Sequence, residues 1–197
     1  MGLRYTNGKI KETIVKGVDD KSQVDMRFTG TLDFSLEEQK KLNLLGKLLK
    51  IKLTEEMREK MAGVYGVRVS GFASDRPYNW CRLNVRFPCD PDNVEKLINK
   101  VFEEINKIKA NGATKEDLNK IKEAELANAE EYIEINGYWM YKLKDACQYG
   151  ISPESILDYK ADINKINSKM FQDAANTYFD MSNYAEFILV PESFVKQ

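Results

Sequence analysis

Residues 42–69 constrain the fold more than any other stretch. Leu42, Leu44, Leu45, Leu48, Leu49, Ile51 and Leu53 recur at helical spacing and form a wide apolar stripe, so this segment is expected to lie as a helix against an apolar surface. The chain then turns through Met57-Arg58-Glu59-Lys60, passes Gly63 and Tyr65, and enters a stretch where Val67 and Val69 alternate with Arg68 and Ser70. That alternation is the period of a half-buried strand. The chemistry open to the chain is limited from the start, because its 197 residues contain no histidine. Any step that needs imidazole must draw it from outside this sequence.

Strands flank this unit on both sides. Residues 13–18 read as a short strand, and Asp19-Asp20-Lys21-Ser22 as a polar turn. Val24, Met26 and Phe28, alternating with Asp25, Arg27 and Thr29, read as the second strand of a hairpin. Ser35 is placed to cap the leucine helix, with Glu38 completing a capping box, and Thr54 to cap a second short helix that carries Arg58. Further on, Cys81, Leu83, Val85 and Phe87 alternate with Trp80, Arg82, Asn84 and Arg86. This pattern predicts an antiparallel strand with one face packed. Asp90-Pro91 then starts a helix whose apolar face is Val94, Leu97, Ile98, Val101, Phe102, Ile105 and Ile108. Helices are expected after Thr114, over residues 138–149 up to Gly150, after Ser152-Pro153 and after Asn167, and Phe187-Ile188-Leu189-Val190 reads as a short apolar strand. The order β-β-α-β-β-α-α-α-α-β gives an α+β class, an antiparallel or mixed sheet with helices packed on one face. Residues 1–11 read as an N-terminal extension or a remnant of cloning, and residues 12–197 as a single domain.

Composition narrows the partners. With 30 basic and 31 acidic residues the net charge is −1, so no global attraction to nucleic acid is expected. No apolar run approaches the ~20 residues of a membrane span. Cys81, Cys89 and Cys147 are odd in number and form no Cys-x-x-Cys pair, which argues against both a disulfide framework and a zinc ribbon. Cys81 and Cys89 on one extended strand would stand about 26 Å apart, too far to bridge. The remaining carboxylates form no calcium-loop pattern. The chain itself is therefore expected to hold no metal and no cofactor.

The segment from Leu48 to Tyr65, with Met57-Arg58-Glu59 followed by Gly63-Val64-Tyr65, resembles the carboxyl-terminal domain of the pitrilysin/insulysin family of inverted zinc peptidases, whose fold the mitochondrial processing peptidase shares. In that family a helix ends in Leu-Arg-Glu, and Gly-x-Tyr opens the next strand seven residues after the arginine. The segments Lys16-Gly17 with Lys21-Ser22-Gln23-Val24, Phe87-Pro88-Cys89-Asp90-Pro91, Gly112-Ala113-Thr114-Lys115-Glu116-Asp117-Leu118 and Asn136-Gly137-Tyr138-Trp139 agree in order and spacing. The resemblance covers about residues 12–191. The family's zinc-binding His-x-x-Glu-His has no counterpart here, and Met57 stands where the family pattern has leucine.

The resemblance implies a non-catalytic, substrate-binding domain of a zinc metalloendopeptidase. Zinc would belong to the parent enzyme, and the partner would be a zinc-bearing amino-terminal peptidase domain or subunit. Peptide would be enclosed between the two. Arg58 would hydrogen-bond substrate carbonyls, and the Tyr65 hydroxyl would stabilise the oxyanion of the tetrahedral intermediate. A charged fork and a phenol donor aimed at developing negative charge lower such a barrier. On residues alone, Tyr65 reads first as a core aromatic sharing the parity of Val67, and Arg58 as a solvated cation; the family pattern reverses that preference for the pair. Trp80 and Arg82, on the free face of their strand, are candidate peptide contacts or members of an ordinary solvated face. The alternative function is a degenerate, inactive homologue serving as a binding or assembly partner.

Overall fold

The computed structural model describes residues 4–5, 7–60, 64 and 66–195. Tyr65, and with it the family-implied oxyanion contact, lies outside the described residues. The chain divides into two compact units, one made of the residues up to Gly112 with those from Lys169 onward, the other of Ala113–Ser168.

The first unit is built on a mixed five-stranded sheet of order β1-β5-β2-β4-β3. Its strands are β1 (Lys9–Val15), β2 (Ser22–Gly30), β3 (Arg68–Ser74), β4 (Trp80–Cys89) and β5 (Tyr184–Val190). Strand β1 begins inside the stretch read from sequence as an extension. The expected β1-β2 hairpin does not form. Strand β5 inserts between them, parallel to β1 and antiparallel to β2. The reason lies in composition. Tyr184-Ala-Glu-Phe-Ile-Leu-Val190 is nearly all apolar and takes a position paired on both sides, while Lys9-Ile-Lys-Glu-Thr-Ile-Val15 alternates with charge and takes the edge. Lys11 Nζ reaches inward to 3.0 Å from Oε1 of the buried Glu186, an ion pair by distance whose angles fall short of a hydrogen bond. An inward charge of this kind discourages a further strand from pairing at the edge.

One face of the sheet is apolar. Val24, Met26, Phe28, Cys81, Leu83, Val85 and Phe87 are all buried there. Phe28 stacks edge-on against Phe179 and Phe102, which lie on the helical side. Helices α1 (Leu36–Leu53), α2 (Val94–Asn111) and α6 (Ser168–Tyr178) supply the cover. Ser35 Oγ accepts from Glu38 N at 3.1 Å, so the N-cap forms as expected. The reciprocal half of the capping box is absent, because the Glu38 carboxylate turns instead to Lys41 and the Tyr178 hydroxyl. That contact joins the start of α1 to the end of α6. Burial, then Glu38, push the Tyr178 phenol well above its ordinary value. Along the same helix, Gln172 and Asn176 donate to the carbonyls of Ala110 and Lys109 at 2.6 and 2.9 Å, meeting the open acceptors at the end of α2.

Helix α1, rather than α2, lies over β3 and the adjacent β4. Gly46 of α1 and Gly71 of β3 meet backbone to backbone. A Cβ built on Gly71 would stand 2.1 Å from the Leu42 carbonyl oxygen, and one on Gly46 would stand 2.9 Å from Gly71 N. The leucines then close around this contact. Leu42, Leu44, Leu45, Leu48, Leu49 and Leu53 are all buried, each contributing about 1.5–3 kcal/mol. The helix does not stop at Thr54. It runs on as a π-helix, Thr54–Lys60, and Thr54 is a helical residue whose hydroxyl donates to Lys50 O at 2.7 Å, not an N-cap. Val64 then forms an isolated bridge to Cys89 before β3 begins.

The second unit is helical: α3 (Lys115–Tyr132), α4 (Asn136–Tyr149), a 3-10 turn Pro153–Asp158 and α5 (Tyr159–Asn164). Thr114 and Asp117 form the complete capping box of α3. The Trp139 indole donates to Ile133 O at 2.7 Å across the α3–α4 corner, and Gly150 closes α4 in the left-handed conformation.

The glycine contact yields a direct test. Gly71→Ala should lower the unfolding free energy from urea melts by about 1–3 kcal/mol or more, because its new methyl meets backbone that cannot step aside. Gly66→Ala, with nothing within 4 Å of the added carbon, should stay within about 0.5 kcal/mol of wild type. Equal effects of the two substitutions would mean that α1 does not sit directly on β3.

Candidate functional site

Arg58 sits in the π-helical turn that ends α1. Its neighbour Met57 is fully buried while Arg58 is exposed. The wider π-turn anchors one side of the segment in the core and turns the next residue outward, an irregularity often found at functional positions. Arg58 makes no hydrogen bond or ion pair with any described residue. Its guanidinium is thus available to a ligand outside the described chain.

Trp80 and Arg82 lie on the sheet face turned away from the helices. Both are half-buried. The Trp80 indole donates to Arg76 O at 3.0 Å, its ring meets Tyr5 at 5.7 Å and Phe72 at 5.3 Å, and the Arg82 guanidinium stands 5.8 Å from its centroid. Arg82 also donates to the Tyr5 hydroxyl at 3.3 Å. The pair is therefore one structural cluster. It does not join Arg58. The turn carrying Arg58 returns to the sheet at the Val64–Cys89 bridge, and Trp80 is at the opposite end of β4, about 30 Å away along an extended strand.

Between those ends lies a charged network that sequence reasoning did not assemble. Asp25 of β2 accepts from Arg27 at 3.0 and 2.9 Å, and its Oδ2 lies 2.9 Å from Arg86 of β4. Burial works to raise the Asp25 carboxyl. The hydrogen bonds and charges of Arg27 and Arg86 together overcome it and hold the carboxyl below its ordinary value of 3.8. Arg27 lies 5.7 Å from the Phe187 ring. A shallow hollow beside it is lined by Tyr5, Ile10, Arg27, Tyr184 and Phe187. Alternation alone placed Asp25, Arg27, Arg82 and Arg86 on polar positions. Their meeting depends on the β2–β4 register, Asp25 opposite Arg86, which no single strand encodes.

The donor set does not suit zinc. The sequence has no imidazole, and among the described residues no three His, Cys, Asp or Glu side chains converge on a point. Burial pushes the Cys81 and Cys89 thiols up to about 11, which disfavours the thiolate a metal needs. Also among the described residues, no helix is long and apolar enough to cross a membrane.

An open mixed sheet backed on one side by α1, α2 and α6, with a π-helical turn between α1 and β3, makes an α+β domain. Residues 3–125 match the family model for the peptidase M16 inactive domain, and the chain belongs to that family. A zinc protease PQQL-like protein of Arabidopsis thaliana is 31% identical over 113 residues, which are 55% of this chain and 12% of that protein. The chain thus spans only a small part of that curated relative. The periplasmic protease PqqL of Escherichia coli superposes with a TM-score of 0.78 at 15% identity, over 94% of this chain and 21% of that one. A peptidase M16 inactive domain from Pseudomonas fluorescens gives 0.76 at 15% identity, over 96% and 45%. At these identities the structural likeness establishes the fold.

The Asp25 network has a pH signature. A carboxyl depressed in the folded state adds stability above its unfolded pKa, and that stability is lost as pH falls through the folded value. Asp25→Asn should therefore cost about 1–3 kcal/mol at pH 7, and the difference from wild type should shrink as pH drops below 3.8. Denaturant melts at neutral and acid pH measure this. A difference that does not change with pH would show that the charge of Asp25 contributes nothing.

Proposed function

We propose that this chain is the substrate-binding, non-catalytic domain of a zinc metalloendopeptidase, acting across a cleft from a zinc-bearing peptidase domain of the same parent protein or of a partner subunit. The observation that carries the reading is Arg58: an exposed guanidinium, without a partner among the described residues, on a turn whose neighbour is buried in the core, within the segment matched by the M16 inactive-domain family. Such a group, held at the end of a rigid helix, can donate two parallel hydrogen bonds to the carbonyls of a bound peptide. Tyr65, seven residues on, is assigned the oxyanion contact by its place in the Gly-x-Tyr pattern. Trp80 and Arg82, at the far end of β4, are assigned a more distant part of the same peptide. The zinc, its ligands and the general base all belong to the partner domain. The name of the Arabidopsis relative, a zinc protease, supports that division.

Kinetics on the parent protein test the assignment. Tyr65→Phe should lower kcat on a peptide substrate by ~10²–10³, the usual loss for one oxyanion donor. Arg58→Ala should reduce kcat/KM, and both variants should keep the wild-type melting temperature. Unchanged kcat in Tyr65→Phe, or a collapse in stability on removing the hydroxyl alone, would return Tyr65 to the core. A parent protein with no peptidase activity of its own would favour the assembly-partner role instead.

A further inference from the structure

The part of the outward sheet face formed by β2, β3 and β4 is basic, on a chain whose net charge is only −1. On its strands β2, β3 and β4, the outward positions include Arg27, Arg68, Arg82 and Arg86 but a single acid, Asp25. That carboxylate is already shared between Arg27 and Arg86. Arg68 stands directly opposite Arg86 in the β3–β4 register. Like charges at such a position destabilise a sheet, and Arg68 is exposed with no ion pair to any described residue. Among the described residues, then, Arg68 is a positive charge without a counter-ion, which an external anion would supply.

We infer that this face takes an extended peptide bearing several carboxylates, so that the peptidase reading above, on which this inference rests, acquires a substrate class: acidic peptides. The spacing fits. Arg68 and Arg86 sit on adjacent strands about 5 Å apart, and Arg82 lies four residues from Arg86, about 13 Å along β4. In an extended peptide, side chains on one side recur every ~6.6 Å, so carboxylates four residues apart match Arg86 and Arg82, with the side chain between them facing Asn84. Asp25 holds Arg27 and Arg86 in place before any ligand arrives, which reduces the ordering cost of binding. Trp80 and Phe72, 5.3 Å apart, give the peptide an apolar end-stop. Charge complementarity selects this occupant over a neutral or basic one.

The test uses three fluorescein-labelled peptides of one length, carrying Glu, Gln or Lys at alternate positions, titrated against the chain by anisotropy. The Glu peptide should bind ~10-fold more tightly than the Gln peptide, as a few exposed ion pairs together allow, and the gap should close with salt. The double variant Arg68→Gln, Arg82→Gln should lose that gap and keep the wild-type melt. Equal binding of the Glu and Gln peptides, or an unchanged gap in the double variant, overturns the inference. In the parent protein the double variant should raise KM for the Glu peptide more than for the Gln peptide. If Arg58→Ala removes turnover of both peptides while the double variant alters neither, the acidic class fails and the peptidase reading stands. If the parent cleaves neither peptide, both fail. Loss of Glu-peptide binding when the chain is joined to its partner domain also overturns the inference, because the face would then be an interdomain contact.

Discussion

The close approach of Gly46 to Gly71 governs the rest of the first unit. A helix normally stands about 10 Å from a sheet because side chains fill the gap. Here neither element has a side chain at the crossing, and the Leu42 carbonyl lies almost against the β3 backbone. The leucines on either side are drawn into the core by that contact rather than merely accommodated beside it. Its further consequence concerns direction. Once α1 is fixed against β3, the point where the helix ends is fixed relative to the strand that follows, and the π-helical turn carrying Arg58 occupies the connection between them. The buried Met57 secures the turn from below. Arg58 is thus displayed next to a side chain buried in the core.

Much of this was legible in the sequence, for physical reasons that differ from element to element. The leucine stripe and the alternation over residues 80–87 signal burial through a single periodicity, and both appear where expected. The Thr114 capping box is a local motif and forms complete. Longer-range features were not legible. The hairpin expected between the first two strands gives way to an inserted β5, because sheet order depends on which strand is apolar enough to be paired on both sides. The Thr54 cap gives way to a π-helix, since the burial of Met57 keeps the chain helical past the last leucine. Gly46 and Gly71 are individually unremarked in the sequence, and only the folded register shows that they must be small.

The candidate site divides along the same line. Arg58 and Tyr65 were found through a family pattern, not through periodicity, and Arg58 emerges exposed on its turn, without a partner among the described residues. Trp80 and Arg82 were assigned to the free face by alternation, and they lie there in contact with each other. Alternation could not bring Asp25 to Arg86, because that contact exists only in the β2–β4 register. Nor could it reveal Arg68 opposite Arg86. The electrostatic character of the face is therefore a property of strand pairing. The absence of histidine, by contrast, needed no structure: it leaves this sequence without an imidazole ligand on composition alone.

The most direct test of the account is an experimental structure of the parent protein with an uncleaved peptide held in its cleft, for example in a variant whose general base has been removed. The account predicts Arg58 nitrogens within about 2.7–3.2 Å of peptide carbonyl oxygens, the peptide lying between this domain and the zinc-bearing one. A peptide bound with Arg58 in bulk solvent, and no group of this domain in hydrogen-bond reach of it, would contradict the account.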